Sequence, residues 1–199
     1  MRQILIILSL LLSSQFLSAQ NNLFPRLGGQ RAGTSAFSFL KIDVGARPHG
    51  MAGAYTAVAN DASSLFWNPA GAAQGTETVD IMVDQSRWIA DFQLTSFAGV
   101  WEFGRVHHIG LSALALYAPP AEITTEYQPE GTGEYFNYGD VLLGLTYALR
   151  MTDRFSFGVT TKLVEEQLAD LRMRNLLLDL GTYYRTGYKD LRFAVSLLN

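Results

Sequence analysis

Between Asp140 and Arg150 an apolar residue returns at every second position, and nothing else in the chain restricts its fold as much. Val141, Leu143, Leu145, Tyr147 and Leu149 share one face, with Asp140, Leu142, Gly144, Thr146, Ala148 and Arg150 on the other. A period of two belongs to a strand, whose side chains alternate between the faces of a sheet. The pattern recurs in Phe155, Phe157, Val159, Thr161 and Leu163, opposite Arg154, Ser156, Gly158, Thr160 and Lys162. It recurs again in Leu176, Leu178, Leu180, Thr182 and Tyr184, and in Leu191, Phe193, Val195 and Leu197. Less regular strands are expected at Thr78 to Gln85, Asp91 to Phe103 and Val106 to Tyr117. That makes about seven strands, most of them about nine to eleven residues long, the length a tilted strand needs to cross a bilayer. Strands of ordinary soluble sheets are nearer five or six residues.

The connections are uneven. Gly104-Arg105, Met151 to Asp153 and Gly187 to Asp190 are short, whereas Pro119 to Asn137 is long and a polar stretch around Glu165 to Arg174 is expected to be a second loop. Short turns at one end and long loops at the other characterise outer-membrane barrels, with the short turns on the periplasmic side. A soluble β-sandwich also alternates, but its connections need not be long and short by turns. In lipid no strand edge can stay unpaired, so a barrel must close, and bacterial single-chain barrels do so with even strand numbers. The expected fold is therefore all-β, a transmembrane antiparallel β-barrel of which these residues form the N-terminal part.

Residues 1–19 read as a secretory signal, with Arg2 as the basic start, Ile4 to Leu12 as the apolar run and Ser18-Ala19 before the cut. That run is too short for the roughly twenty residues a spanning helix needs. The expected division is a signal peptide at 1–19, an N-terminal segment and plug at 20–76, and a partial outer-membrane barrel at 77–199. With 15 Lys+Arg against 18 Asp+Glu the formal charge is -3, and no basic stripe offers a footprint for nucleic acid. The absence of cysteine removes disulfide frameworks, thiolate metal sites and cysteine nucleophiles together.

From Gly45 to Ala73 the chain is rich in Gly and Ala and lacks strand alternation. Asp61 is placed to cap a short helix over Ala62 to Trp67, and Pro69 disfavours helical geometry at Asn68 and ends it. Small residues at Gly50, Ala52, Gly53 and Ala54 would let this backbone pack closely against surrounding walls, as a compact plug. The run from Gly33 through Phe39-Leu40-Lys41, Gly45-Ala46-Arg47, Gly50-Met51-Ala52-Gly53-Ala54-Tyr55 and Asp61-Ala62 to Trp67-Asn68-Pro69-Ala70-Gly71 closely resembles the N-terminal signature of the PorV/PorQ family. These are outer-membrane proteins related to the FadL group of fatty-acid transporters. The resemblance implies a fourteen-stranded FadL-like barrel with a short helical N-terminal plug, this chain holding about its first half. It also implies that Gly50, Met51, Gly53, Ala54, Asp61, Trp67, Asn68, Pro69, Ala70 and Gly71 form the plug motif. The resemblance further implies an accessory or substrate-carrier role in protein export by the type IX secretion system, in which family member PorV carries secreted substrates to the surface-attachment machinery. The Asn-Pro-Ala-Gly form is shared with the wider FadL group, so it marks fold better than it marks secretion.

Catalytic constellations are absent from the sequence: no Gly-x-Ser-x-Gly elbow, no phosphate-cradling loop and no His-Glu-x-x-His motif. His107 and His108, adjacent near a turn, point to opposite faces and are expected to be solvated. Asp80, Asp84 and Asp91 are acidic enough for a divalent cation, but polar residues lining a wet lumen are the plainer reading. No cofactor, metal or enzymatic activity is expected. The long loop carries Tyr127, Tyr135, Phe136 and Tyr138 among Glu122, Glu126, Glu130 and Glu134. Aromatic rings on such loops anchor protein partners, and they also suit an aromatic girdle or packing within the loop. Expected partners are outer-membrane lipid and secretion-system proteins or their cargo. Passive uptake of hydrophobic solutes, gated by the plug, is the alternative function.

Overall fold

The computed structural model describes residues 36–169 and 171–198. The signal expected at 1–19 lies outside the described residues, as does the start of the segment that follows it. The strands are β1 (Val79–Arg87), β2 (Gln93–Phe103), β3 (His107–Tyr117), β4 (Ala121–Glu122), β5 (Tyr135–Phe136), β6 (Tyr138–Arg150), β7 (Phe155–Leu168), β8 (Leu171–Arg185) and β9 (Arg192–Leu197). Seven of them form one antiparallel sheet in the order β1-β2-β3-β6-β7-β8-β9, and β4 with β5 makes a small hairpin between β3 and β6. The sheet curls into a half-barrel.

The alternation read from the sequence becomes two unlike faces. On the convex side Val83 is 71% exposed, Leu143 54%, Leu176 67% and Val195 63%. In a sandwich these apolar faces would meet one another; here they point away from the body of the protein. Near the short turns the outer face carries rings: Trp101, Phe103, Tyr147, Phe157, Tyr184 and Phe193 are all exposed. Among the described residues no helix is long and apolar enough to cross a membrane.

The concave side is layered, and the β6–β7 register shows the order. Leu142 opposite Val164 belongs to an apolar layer with Phe39, Val44, Leu94, Leu114 and Leu116. Next come Gly144 opposite Lys162 and Thr146 opposite Thr160. Lys162 makes a buried ion pair with Asp179 of β8, and the two threonine hydroxyls are hydrogen-bonded at 2.7 Å. Below them Ala148 opposite Gly158 meets a second packed layer that contains Ala62, Leu65, Ala72, Ala73 and Ala98.

The region around Glu165 to Arg174 is not a loop. β7 continues to Leu168 and β8 starts at Leu171, with Glu165 registered opposite Arg174. The polar residues there keep the alternation of a strand, and opposite charges across the ladder favour continued pairing. The long connection between β3 and β6 is present, and the asymmetry elsewhere comes from strands that run on past the others. Asp91 lies in a 3-10 turn, Ile89–Asp91, before β2. His107 is exposed on the outer face, where its Nδ1 lies 2.7 Å from the Tyr147 hydroxyl. His108, expected to be solvated, is only 2% exposed, because β3 begins at His107 and strand alternation turns the next ring inward. Glu166 is likewise buried and accepts a hydrogen bond from the Phe37 amide.

Candidate functional site

A polar contact joins the inner segment to the wall at Asn68. Asn68 is wholly buried. Its backbone is extended (φ -159°, ψ 106°), which ends the short helix Ser64–Trp67 and starts the 3-10 turn Pro69–Gln74. Pro69 enforces that break, since a residue before proline avoids helical geometry. The Asn68 Nδ2 donates to the carbonyl oxygens of Thr56 and of Thr182 in β8, each at 3.2 Å, while its Oδ1 accepts from the Ala70 amide at 3.1 Å. One side chain thus ties together two parts of the segment and one strand of the wall.

Neighbouring bonds extend the seat. The Ser156 hydroxyl donates to the Ala70 carbonyl at 2.9 Å and accepts from Gln74 Nε2 at 2.9 Å. Arg150 donates to the carbonyls of Ala73 at 2.7 Å and Gly75 at 3.1 Å. The Ala62 amide donates to Asp80 of β1 at 2.7 Å. Arg150 and Ser156 face each other across β6 and β7, so the carbonyls of the 3-10 turn meet a donor on each strand.

Shape matches chemistry here. Gly158 and Gly181 are paired across β7 and β8. A Cβ at Gly158 would lie 2.3 Å from the Pro69 carbonyl carbon, and one at Gly181 would lie 2.1 Å from Asn68 Oδ1. A Cβ at Gly110 would come within 2.6 Å of a Leu65 methyl, and one at Gly71 within 2.5 Å of the Ala59 carbonyl oxygen. These distances are well below van der Waals contact, so the segment approaches the wall this closely only because these glycines carry no side chain.

The residues of the sequence motif divide accordingly. Asn68, Pro69, Ala70 and Gly71 are buried in the seat. Trp67 packs edge-on against Tyr55 and donates from its indole nitrogen to the Val44 carbonyl at 3.1 Å. Asp61 accepts from the Ser63 amide at 3.0 Å, from the Ser63 hydroxyl, and from the Tyr55 hydroxyl at 3.2 Å. It therefore organises the turn before the helix, which begins at Ser64 and not at Ala62. Gly50, Met51, Ala52 and Ala54 are exposed, and Gly50 has nothing near it. Gly53 has φ +77° and is partly buried beside Trp67, so this residue serves a turn. The close packing expected at Gly50 to Ala54 occurs instead at Ala59, Ala62 and Ala70 to Ala73.

The long loop also divides. Tyr127 is 93% exposed and Tyr135 62%. Phe136 and Tyr138 turn inward and line a recess of about 260 Å³ at the mouth with Phe92, Ala118 and Leu168. Tyr138 stacks on Phe92 and donates to Asp140 at 2.6 Å. Tyr138 is thus part of the wall, and the rings that resemble a girdle lie at the opposite end of the strands. Among the described residues no group of His, Cys, Asp or Glu is gathered to hold a metal ion.

Gly110, Gly158, Gly181, Arg150 and Ser156 were visible in the sequence only as inward positions of strands. An isolated glycine within a strand is the signal that could have marked them, since it often records a close backbone approach.

The sequence profile of the family described as type IX secretion system protein PorV matches residues 27–182, which spans the seat and the sheet from β1 into β8. No curated protein matches the chain. By the extent of that match, the chain belongs to the PorV family of type IX secretion system proteins.

Proposed function

We propose that this protein is a non-enzymatic outer-membrane β-barrel that serves type IX secretion as an accessory component or carrier of secreted substrates. On this reading residues 20–76 form a plug, residues 77–199 form part of the barrel, and a signal at 1–19 is removed on export. The apolar convex face and its ring of aromatic residues near the short turns support a lipid environment, where such belts sit at the interface.

The observation that carries the proposal is the seating of Asn68 to Gln74 on the wall by hydrogen bonds and side-chain-free contacts. A gate has to leave its seat in each cycle, whereas a carrier works with its lumen closed. The partner surface would be the β4–β5 loop, with Tyr127 and Tyr135 as exposed anchors. The mouth recess favours the second reading, FadL-like passive uptake of a hydrophobic solute.

Deletion of residues 120–136 separates the two. It should abolish delivery of secreted cargo to the cell surface while the protein still inserts in the outer membrane. Unimpaired cargo delivery combined with lost uptake of a labelled fatty acid would favour the second reading.

A further inference from the structure

The outward apolar run on β7 and β8 stops at one pair. Leu163 and Leu176 face each other across the two strands, 51% and 67% exposed. One step further from the short turns the outward pairs are Glu165 with Arg174, then Gln167 with Arg172. Arg174 Nε donates to Glu165 Oε2 at 2.6 Å, and Arg172 Nε lies 3.2 Å from Glu165 Oε1. Arg172 also donates from Nη2 to Gln167 Oε1 at 3.2 Å. A single carboxylate therefore holds both guanidiniums by their inner nitrogens. The two side chains remain more than half exposed, and this trio carries one surplus positive charge.

Guanidinium groups presented side by side suit a phosphate, whose oxygens accept paired N–H bonds, better than a point charge such as lysine would. Continuity with the apolar band selects the source of that phosphate. A lipid whose acyl chains cover Leu163 and Leu176 brings its headgroup to the height of Arg172 and Arg174. The aromatic ring of the wall lies at the opposite end of the same strands, so the arginine pair stands at the other border of the band. The geometry points to a binding site formed by Arg172 and Arg174 for the phosphorylated headgroup of an outer-leaflet lipid. This site rests on the outer-membrane reading above, with the short turns toward the periplasm.

The test uses the full chain reconstituted in phosphatidylcholine vesicles containing bisphosphorylated lipid A, or a phosphate-free analogue, floated to establish insertion and then purified in mild detergent, with the lipid that stays with the protein counted. The wild-type chain should retain the phosphorylated lipid and not the analogue. Arg172→Gln with Arg174→Gln should weaken retention about tenfold, the loss expected for charge-assisted bonds to phosphate. Glu165→Gln, which breaks the internal pairs but keeps both arginines, should retain the lipid, so disruption of an ion network alone does not mimic the result. Equal retention of lipid A by the floated double variant, equal retention of the analogue, or displacement by millimolar inorganic phosphate would each overturn the site. Wild-type chain that does not float with vesicles overturns the outer-membrane reading and the site with it, which distinguishes the two failures.

Discussion

Gly158 and Gly181 face each other across β7 and β8, and the backbone of Asn68 to Ala70 lies directly on them. At Gly158 the space for a methyl group is already occupied by backbone atoms of Pro69 and Ala70, and at Gly181 by the hydrogen-bonded Asn68 amide and the Pro69 ring, none of which swings aside as a flexible surface side chain could. Gly158→Ala or Gly181→Ala should therefore cost at least the 1–3 kcal/mol typical of an overfilled core, roughly, and lower the temperature at which the detergent-solubilised protein unfolds. Gly50→Ala should shift that temperature little, within about 0.5 kcal/mol, because nothing lies near Gly50. Both glycine types stand out equally in the sequence, and only the contact map of the folded chain separates them.

The β6–β7–β8 ladder carries a buried ion pair in the middle of its inner face. Lys162 and Asp179 have side chains 7% and 0% exposed. Removing one partner takes the counter-charge from a buried ion, at a cost of roughly 3–5 kcal/mol, whereas replacing both by apolar residues is often close to neutral. Lys162→Met and Asp179→Leu should each destabilise the protein to denaturant, and the double variant should recover most of the loss. Within the apolar outer band of the same strands a charge would meet no partner. Leu143→Arg should cost about 2–4 kcal/mol if it lies near the bilayer midplane, measured as denaturant stability in lipid. Strand faces were legible in the sequence because burial has the same period as the backbone, and every outward residue from Val141 to Tyr147 obeys it. The β7–β8 tip was not legible. Its polar residues look like a loop until Glu165 is seen opposite Arg174, and register between distant residues is not written in local composition. The seat was half legible: Asn68-Pro69-Ala70-Gly71 stands out, while its partners are single glycines, a serine and an arginine scattered over the strands.

As a whole the molecule is a curled wall whose first strands and last long strand both grip one N-terminal segment. A chain without cysteine offers a clean background for testing whether that segment moves. Gln74→Cys with Ser156→Cys, joined by a short bifunctional reagent, would tether groups whose side chains now meet at 2.9 Å. Cargo delivery should continue in the tethered protein, and its arrest on cross-linking, reversed by cleaving the tether, would speak for a moving gate. The bond from Asn68 to the Thr182 carbonyl spans 114 positions of the chain. Contacts of such separation form late and slowly, because the intervening chain must be confined before they can close. The seat's occupant precedes every described strand in the sequence, and β8, whose Thr182 carbonyl it meets, comes after β1 to β7. The contents are thus available before the strands that seat them, so the wall can be laid down around them as around a template.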